Sequence, residues 1–142
     1  MLKQIGLLQS GAQTHIMNAT LHFSEERIIY ASSLAVYVLN ADTYMVERIL
    51  CSNQKSITSL SVSSVDKNLL VVGSVEGIIT VWNIEEEAIV RRIAVSFPVT
   101  TAWDPFSSTV CHTLSLDGVR LYSWYVAFDE NTHANRDRKS VM

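Results

Sequence analysis

The chain repeats itself with a period of about forty residues, and this repeat constrains the fold more than any other feature. Val38-Leu39-Asn40 returns 43 residues later as Val81-Trp82-Asn83. Ser74-Val75-Glu76-Gly77 returns after 41 residues as Ser115-Leu116-Asp117-Gly118. Two independent landmarks therefore agree on one period, and its length fits a unit of four short strands with their turns.

Within one period the residue types are those of short β-strands. Residues 57–62 alternate apolar and small polar side chains, and residues 69–72 form a short apolar run, which is typical of a strand buried on both faces. Glu76-Gly77 is a tight-turn signal, because glycine takes positive φ freely. The same pattern predicts strands near residues 16–23, 27–33, 34–39 and 44–50, and again near 99–103, 109–115 and 119–126.

Residues 83–93 fit two different structures. Asn83 and Glu86 form a capping-box pattern, as at the start of a helix. The equivalent segment of the preceding period, residues 41–50, has few strong helix formers. Because equivalent positions in two units of a repeat should adopt the same structure, we predict a strand here, with the acidic residues 85–87 as a hairpin turn.

Residues 73–83 resemble the signature of the WD-repeat (WD40) family: a glycine–serine pair, an acidic–glycine turn, and a β-branched strand that ends in tryptophan and asparagine. Residues 115–121 are a weaker second copy, and residues 99–105 are similar to the first strand of a family repeat. The resemblance covers nearly all of residues 16–126. The residues expected to carry the signature, in a structural role, are Gly73, Ser74, Gly77, Trp82, Asn83, Trp103, Asp117 and Gly118.

The resemblance implies an all-β fold of WD40-type blades, with about three four-stranded antiparallel units in an incomplete β-propeller. The polar stretch at the carboxyl end is expected to be a disordered tail. The expected boundaries are 1–126 for the WD-repeat region, with units at about 16–50, 57–94 and 99–126, and 127–142 for the tail.

The sequence also departs from the family. No Gly-His dipeptide precedes any unit, and Ser123 stands where the signature predicts tryptophan, with Trp124 one position later. The opening residues 3–13 are similar to the amino terminus of a longer member of the family that carries many WD repeats. We therefore expect the chain to be a truncated form or a fragment of such a protein.

Composition and charge exclude several classes of protein. Hydrophobic residues make up 48% of the 142 residues and charged residues 18%, which is too apolar for an intrinsically disordered chain. The formal net charge of −3 offers no basic field for nucleic acid or an anionic membrane. No apolar run approaches the ~18 residues that cross a bilayer, and no secretory signal pattern occurs. We expect a soluble, intracellular, cytoplasmic protein without a nucleic-acid or membrane partner.

No motif of enzymatic or metal-binding chemistry occurs in the sequence. A glycine-rich phosphate loop, HExxH, GxSxG and paired-cysteine zinc spacing are all missing. Cys51 and Cys111 are expected to be small core residues rather than reactive thiols. We therefore predict no catalytic, metal-binding or cofactor-binding residue, no cofactor and no enzyme activity. The histidines also lack metal-ligand spacing: they are His15, His22, His112 and His133.

The predicted function is a non-catalytic protein-interaction scaffold. A propeller needs about four to eight blades to close, so three units leave apolar blade faces open to other proteins or to self-association. The alternative is a self-contained small β-domain that binds a small ligand or acts as an enzyme module. A deep pocket with convergent polar groups would favour that alternative, and a flat face of Leu, Val and Trp would favour the scaffold. The candidate contacts on the rim of the blades are Asn53, Gln54, Lys55, Glu76 and Phe97.

Overall fold

A computed structural model describes residues 2–4, 21–32, 34–52 and 56–126. Within these ranges the chain forms eleven β-strands and no helix, and the strands make three antiparallel sheets in which each strand pairs with the next along the chain. The first sheet contains β1 (Leu21–Phe23), β2 (Arg27–Ala31), β3 (Ala35–Asn40) and β4 (Val46–Cys51). The second contains β5 (Ile57–Val62), β6 (Leu69–Ser74), β7 (Ile78–Asn83) and β8 (Ala88–Ala94). The third contains β9 (Val99–Trp103), β10 (Val110–Ser115) and β11 (Leu121–Tyr125).

The all-β prediction is confirmed, and each strand expected in the described ranges is present. The predicted strand at 44–50 begins two residues later, at Val46. The reason is that Tyr44 has a positive φ of 58° and belongs to the preceding turn. The predicted residues 16–20 and the predicted tail at 127–142 lie outside the described residues.

The first two sheets turn in the same way between their third and fourth strands. The side-chain oxygen of Asn40 accepts hydrogen bonds from the N–H groups two and three residues later, at 2.8 and 3.1 Å. The side-chain oxygen of Asn83 accepts one from the N–H of Glu86 at 3.2 Å. Four residues after each asparagine φ is positive, 58° at Tyr44 and 53° at Glu87. The bond that a helix N-cap would make therefore closes a hairpin turn, and the strand prediction is confirmed by β8.

The three sheets stack face to face, and the two cores lie between them. Directly opposed residues of paired strands point to the same side of a sheet, so β6 presents alternate residues to both neighbouring sheets and is buried at all six positions. The core between the first and second sheets contains Ile29, Ala31, Val36, Val38 and Leu50, with Ile57, Leu60, Leu70, Val72, Trp82 and Ile84. The core between the second and third sheets contains Leu69, Val71, Ile79, Val81 and Ile93, with Val99, Trp103, Cys111, Trp124 and Val126.

Hydroxyl groups join the inner edges of the second and third sheets. The Ser59 hydroxyl accepts a hydrogen bond from the N–H of Thr101 at 2.8 Å, and the Ser61 hydroxyl accepts one from the N–H of Trp103 at 3.0 Å. A Cβ on Gly73 would lie 2.9 Å from the Ser59 hydroxyl, so only glycine leaves room for this arrangement. Edge-strand N–H groups that would otherwise be buried without partners are satisfied in this way.

The turn between β6 and β7 depends on Gly77, whose φ is 86°. A Cβ on Gly77 would stand 2.3 Å from the carbonyl oxygen of Val95 and 2.6 Å from that of Phe97. The N–H of Val95 donates to the carbonyl of Gly77 at 2.8 Å. Glycine is therefore required here both by the backbone angle and by the close approach of the loop between β8 and β9.

We predict that Gly77→Ala destabilises the protein more than Gly118→Ala. Both positions have positive φ, 86° and 77°, so each alanine carries about 1–2 kcal/mol of left-handed strain. The Gly118 site has no neighbouring atom within 4 Å of the added Cβ, so only Gly77→Ala also forces a backbone shift. Such overpacking adds about 1–3 kcal/mol. Urea unfolding followed by circular dichroism measures both losses, and equal losses would contradict the packing of the β8–β9 loop on Gly77.

Candidate interaction surfaces

The residues of the predicted signature lie in turns and at strand ends, and the fold does not bring them together as one site. Ser74 is fully buried within the second sheet, whereas Asp117 is exposed in the turn between β10 and β11. The positions of the predicted residues are the end of β6 (Gly73, Ser74), the β6–β7 turn (Gly77), the end of β7 (Trp82, Asn83), the end of β9 (Trp103) and the β10–β11 turn (Asp117, Gly118).

The structural counterpart of Trp82 in the third sheet is Trp124, not Ser123. Both indoles lie in the core that faces the preceding sheet. The cause is one additional residue in the turn. The Ser74 hydroxyl accepts a hydrogen bond from the N–H four residues later, whereas the Ser115 hydroxyl accepts one from the N–H five residues later, both at 3.0 Å. The expectation that Ser123 replaces the signature tryptophan is therefore wrong.

Two of the predicted rim contacts lie at the same rim of the stack. Glu76 is in the β6–β7 turn and Phe97 is in the β8–β9 loop. The half-buried ring of Phe97 stacks on Tyr122 with 5.7 Å between centroids, and the Arg120 guanidinium lies 4.9 Å from the Phe97 centroid. Phe97 therefore anchors its loop as well as lining the rim. The other three predicted contacts lie outside the described residues: Asn53, Gln54 and Lys55.

The first sheet has an apolar surface on the side turned away from the second sheet. Strand pairing places Phe23, Ile28, Leu39 and Val46 in one row and Tyr30, Tyr37 and Ile49 in the next. We name these seven residues the first outer face. Their exposed members are Phe23 at 70%, Ile49 at 54% and Val46 at 51%. The two tyrosine rings stack with centroids 5.2 Å apart, and burial, with the neighbouring Tyr37, raises the pKa of Tyr30.

The third sheet has a different surface on the side turned away from the second sheet. Strand pairing places the following residues there: Val110, His112, Leu114, Leu121, Ser123 and Tyr125. We name them the third outer face. Leu114 is 40% exposed and Tyr125 is 51% exposed. The centre of this face is polar, although the equivalent pair in the second sheet is the fully buried Val71 and Val81.

At this polar centre His112 connects two other side chains. Its Nδ1 atom lies 2.9 Å from the Ser123 hydroxyl, and its Nε2 atom lies 3.0 Å from the Asp104 carboxylate. The His112 hydrogen bond, followed by that from the N–H of Phe106, holds the pKa of Asp104 below its ordinary value. Sequence reasoning missed this group. The sequence did contain a signal, because His112 and Ser123 lie about one period after Val71 and Val81 of the second sheet.

The opposite rim carries ion pairs between the first and second sheets. A cleft of about 310 Å³ lies beside them, lined by His22, Ile29 and Ser63 among others, and burial lowers the pKa of His22. Each pair has an exposed carboxylate, and surface pairs contribute only about 0–1 kcal/mol each, so the apolar cores rather than these pairs hold the sheets together. The pairs are Lys67–Glu26 at 2.8 Å, Arg48–Glu87 at 3.0 Å and Arg27–Glu85 at 3.3 Å.

The described ranges contain no group of three or more His, Cys, Asp or Glu side chains placed to hold a metal ion. Nor do they contain a helix with the length and apolarity needed to cross a membrane. Cys111 is buried, as expected, but Cys51 is exposed, because it ends β4 at the outer edge of the first sheet. Neither Cys51 nor Cys111 forms a disulfide.

We predict that His112→Ala raises the pKa of Asp104 toward its ordinary value. The hydrogen bond to His112 stabilises the ionised carboxylate of Asp104 in the folded state. This contribution to folding stability is present above the ordinary carboxyl pKa and is lost as the pH falls through the lowered pKa of Asp104. Carboxyl carbon NMR titration measures the change. Asp117 is the internal control, because Ser115 is the first cause of its lowered pKa. An Asp104 pKa unchanged in the variant would contradict the His112 contact.

The fold is that of known propellers, although no protein-family model matches the chain. Among solved structures, the beta-propeller domain of Cps50 (Swd1) from Myceliophteria thermophila is similar over 87% of this chain, with a TM-score of 0.73 and 16% sequence identity. The chain spans 38% of the length of that chain. The three sheets therefore have the fold of consecutive β-propeller blades in an open, incomplete stack.

Proposed function

We propose that this chain is a non-catalytic protein-interaction scaffold and that it forms part of a longer WD-repeat propeller. The observation that carries the proposal is the first outer face, where Phe23, Val46 and Ile49 are each more than half exposed on one side of an antiparallel sheet. The other side of the same sheet is buried in a core. The exposed apolar residues lie on the two edge strands, β1 and β4, whereas Ile28 and Leu39 between them are buried. Exposed apolar residues grouped on one side of a sheet mark a surface that another protein covers.

The incomplete ring supports the proposal that further blades belong to the same protein. Three sheets are fewer than the roughly four to eight that close a propeller. The match covers 87% of this chain but 38% of the solved neighbour, so the neighbour is more than twice as long as this chain. The finer resemblance, carried by Lys3-Gln4-Ile5-Gly6 and by residues 30–38, is to the amino-terminal portion of WD-repeat protein 17, and it stays a prediction.

Two further predictions belong to this proposal. The rim residues Glu76 and Phe97 are candidate contacts for a protein partner, since turns on a rigid sheet are where such contacts are displayed. The protein is proposed to act in the cytoplasm, because a free and exposed thiol at Cys51 suits a reducing compartment.

The alternative, an enzyme module, is favoured by one observation, the chain of hydrogen bonds through Asp104, His112 and Ser123. Acyl transfer by such a group also needs preorganised donors for the developing oxyanion and a cavity that holds the substrate. Ser123 lies in the middle of β11, opposite His112 in the sheet, and it does not line the cleft at the charged rim. We therefore assign this group a structural role.

The scaffold proposal predicts that Ile49→Glu abolishes the capture of partner proteins. Tagged wild-type chain and variant are compared by affinity purification and quantitative mass spectrometry from cells that express the protein. A glutamate buried without a partner costs more than about 1.4 kcal/mol, so bound partners fall by at least about tenfold. The matched control is Val65→Glu, which places the same charge at an equally exposed residue, 56% against 54%, in the loop between β5 and β6.

If wild type and Ile49→Glu capture equal amounts of partner protein, then the first outer face is not the surface that binds those partners. The enzyme alternative has its own readout, since an activated Ser123 would react with a fluorophosphonate probe. The proposal predicts no labelling, and labelling that disappears in Ser123→Ala would overturn the non-catalytic assignment.

A further inference from the structure

We infer that a strand of a partner protein completes the third sheet by pairing antiparallel with the open edge of β11. The inference rests on the proposed scaffold function, because it names a kind of partner, but it uses a surface other than the first outer face. The first two sheets have four strands each. In the part of the chain that the structure describes, the third sheet ends at β11, and no strand corresponds to β4 or β8.

The hydrogen-bonding groups at this edge follow from the register of β10 and β11. The N–H of Val126 donates to the carbonyl of Thr109 at 2.6 Å. Bonded and non-bonded pairs alternate along an antiparallel ladder, so Trp124 and Tyr122 also bond to β10. The residues between and beside them direct their backbone N–H and C=O groups to the open edge: Leu121, Ser123 and Tyr125.

The edge of β11 lacks the features that discourage pairing at the outer edges of the other two sheets. β4 contains the charged residues Glu47 and Arg48, and its pairing with β3 has a register shift. β8 contains Arg91 and Arg92, and its pairing with β7 has one as well. β11 has no charged residue, and its pairing with β10 runs without a shift. An unprotected edge of this kind accepts a further strand through main-chain hydrogen bonds.

The strands β4 and β8 indicate what a fourth strand contributes to its sheet. Each has an arginine opposite the middle of the third strand, Arg48 in β4 and Arg91 in β8. Two residues later each has an apolar side chain buried in a core, Leu50 or Ile93. The partner strand is therefore expected to contain an arginine followed two positions later by leucine or isoleucine.

The side chains of the third sheet fit this pattern. The arginine is expected opposite Ser123 and the apolar residue opposite Leu121. In the first two sheets the counterparts of Leu121 are fully buried, Val36 under Leu50 and Ile79 under Ile93. Leu121 is half-buried, and Leu114 beside it on β10 is 40% exposed. An apolar side chain at this position therefore covers apolar surface that is now in contact with water.

The residues that follow β11 in the sequence do not carry this pattern. Ile93 lies eleven residues after Trp82, whereas the residue eleven positions after Trp124 is Asn135. Neither arginine of residues 127–142 is followed two positions later by an apolar residue. A strand with the expected pattern is therefore sought in a partner protein rather than in this segment.

The edge remains accessible when further blades belong to the same protein. A neighbouring blade packs on a side of a sheet, as the second sheet does on the first and the third. The edge of β11 is the outer edge of its sheet, like those of β4 and β8. A blade that covers the third outer face therefore leaves the pairing groups of β11 free to bind a strand.

The probe for this edge is a synthetic peptide with the sequence of residues 88–94, Ala-Ile-Val-Arg-Arg-Ile-Ala, which carries the expected pattern. It is added to the full 142-residue chain, and amide hydrogen exchange is followed by NMR. At a peptide concentration ten times the dissociation constant, exchange at Leu121, Ser123 and Tyr125 is expected to slow by about tenfold. Exchange at Tyr122 and Trp124, which bond to β10, is expected to stay unchanged.

Two N-methylated peptides distinguish strand pairing from general stickiness, with binding measured by fluorescence anisotropy. The N–H of Val95 bonds to Gly77, so by alternation the N–H of Ile93 faces the third strand and that of Arg92 faces away. A methyl group on the nitrogen corresponding to Ile93 is expected to weaken binding by at least about tenfold. The same group on the nitrogen corresponding to Arg92 is expected to leave binding unchanged. Equal binding of the two peptides would overturn the inference.

A matched pair of protein variants tests the edge from the other side. Tyr125→Pro removes one outward N–H and is expected to weaken peptide binding by about three- to tenfold relative to Tyr125→Ala, which keeps it. Binding that is equal in the two variants would contradict main-chain pairing at β11.

Three other results would also overturn the inference. One is failure of the peptide to bind. Another is slow exchange at Leu121, Ser123 and Tyr125 without peptide, which would mean that this chain already covers its own edge. The third is protection that rises with protein concentration, which would mean that a second copy supplies the strand. Ile49→Glu is expected to bind the peptide as wild type does, so the β11 edge and the first outer face are tested separately.

Discussion

The packing of each sheet on the next is the constraint on which the rest of the structure depends. A sheet of three or four short strands cannot bury its apolar side chains by itself, so each unit needs a neighbour. The β5–β9 junction shows how tightly the neighbours meet, because Ser59 and Ser61 hydroxyls reach the edge N–H groups of the third sheet. Gly73 permits the approach, since any side chain there would collide with Ser59.

The same constraint determines which surfaces remain available. The second sheet uses both sides, and its β6 strand is buried throughout. The first and third sheets each use one side in the described part of the chain, and the two remaining sides differ in chemistry. One is dominated by exposed apolar groups such as Phe23 and Ile49, and the other has His112 at its centre. Function is therefore expected at the ends of the stack and along its rims rather than in a pocket.

The repeat made most of the fold predictable from the sequence. Equivalent positions of the repeat were expected to adopt the same structure, and this expectation correctly favoured a strand over a helix for residues 83–93. Asn83 closes the same kind of turn as Asn40. The polar centre of the third outer face was not predictable in the same way. Asp104 and Ser123 are far apart in sequence, and only strand register brings both to His112. A one-residue difference in turn length likewise hid Trp124 as the counterpart of Trp82.

Amide hydrogen exchange at Thr101 and Trp103, followed by NMR, tests the face-to-face packing of the sheets most directly. Both residues are in an edge strand, and their N–H groups donate to serine hydroxyls of another sheet rather than to a strand of their own. Stacked sheets predict slow exchange at both sites, with the protection of Thr101 lost selectively in Ser59→Ala. Exchange as fast as at an exposed edge strand in the wild-type protein would mean that the second and third sheets do not pack as described.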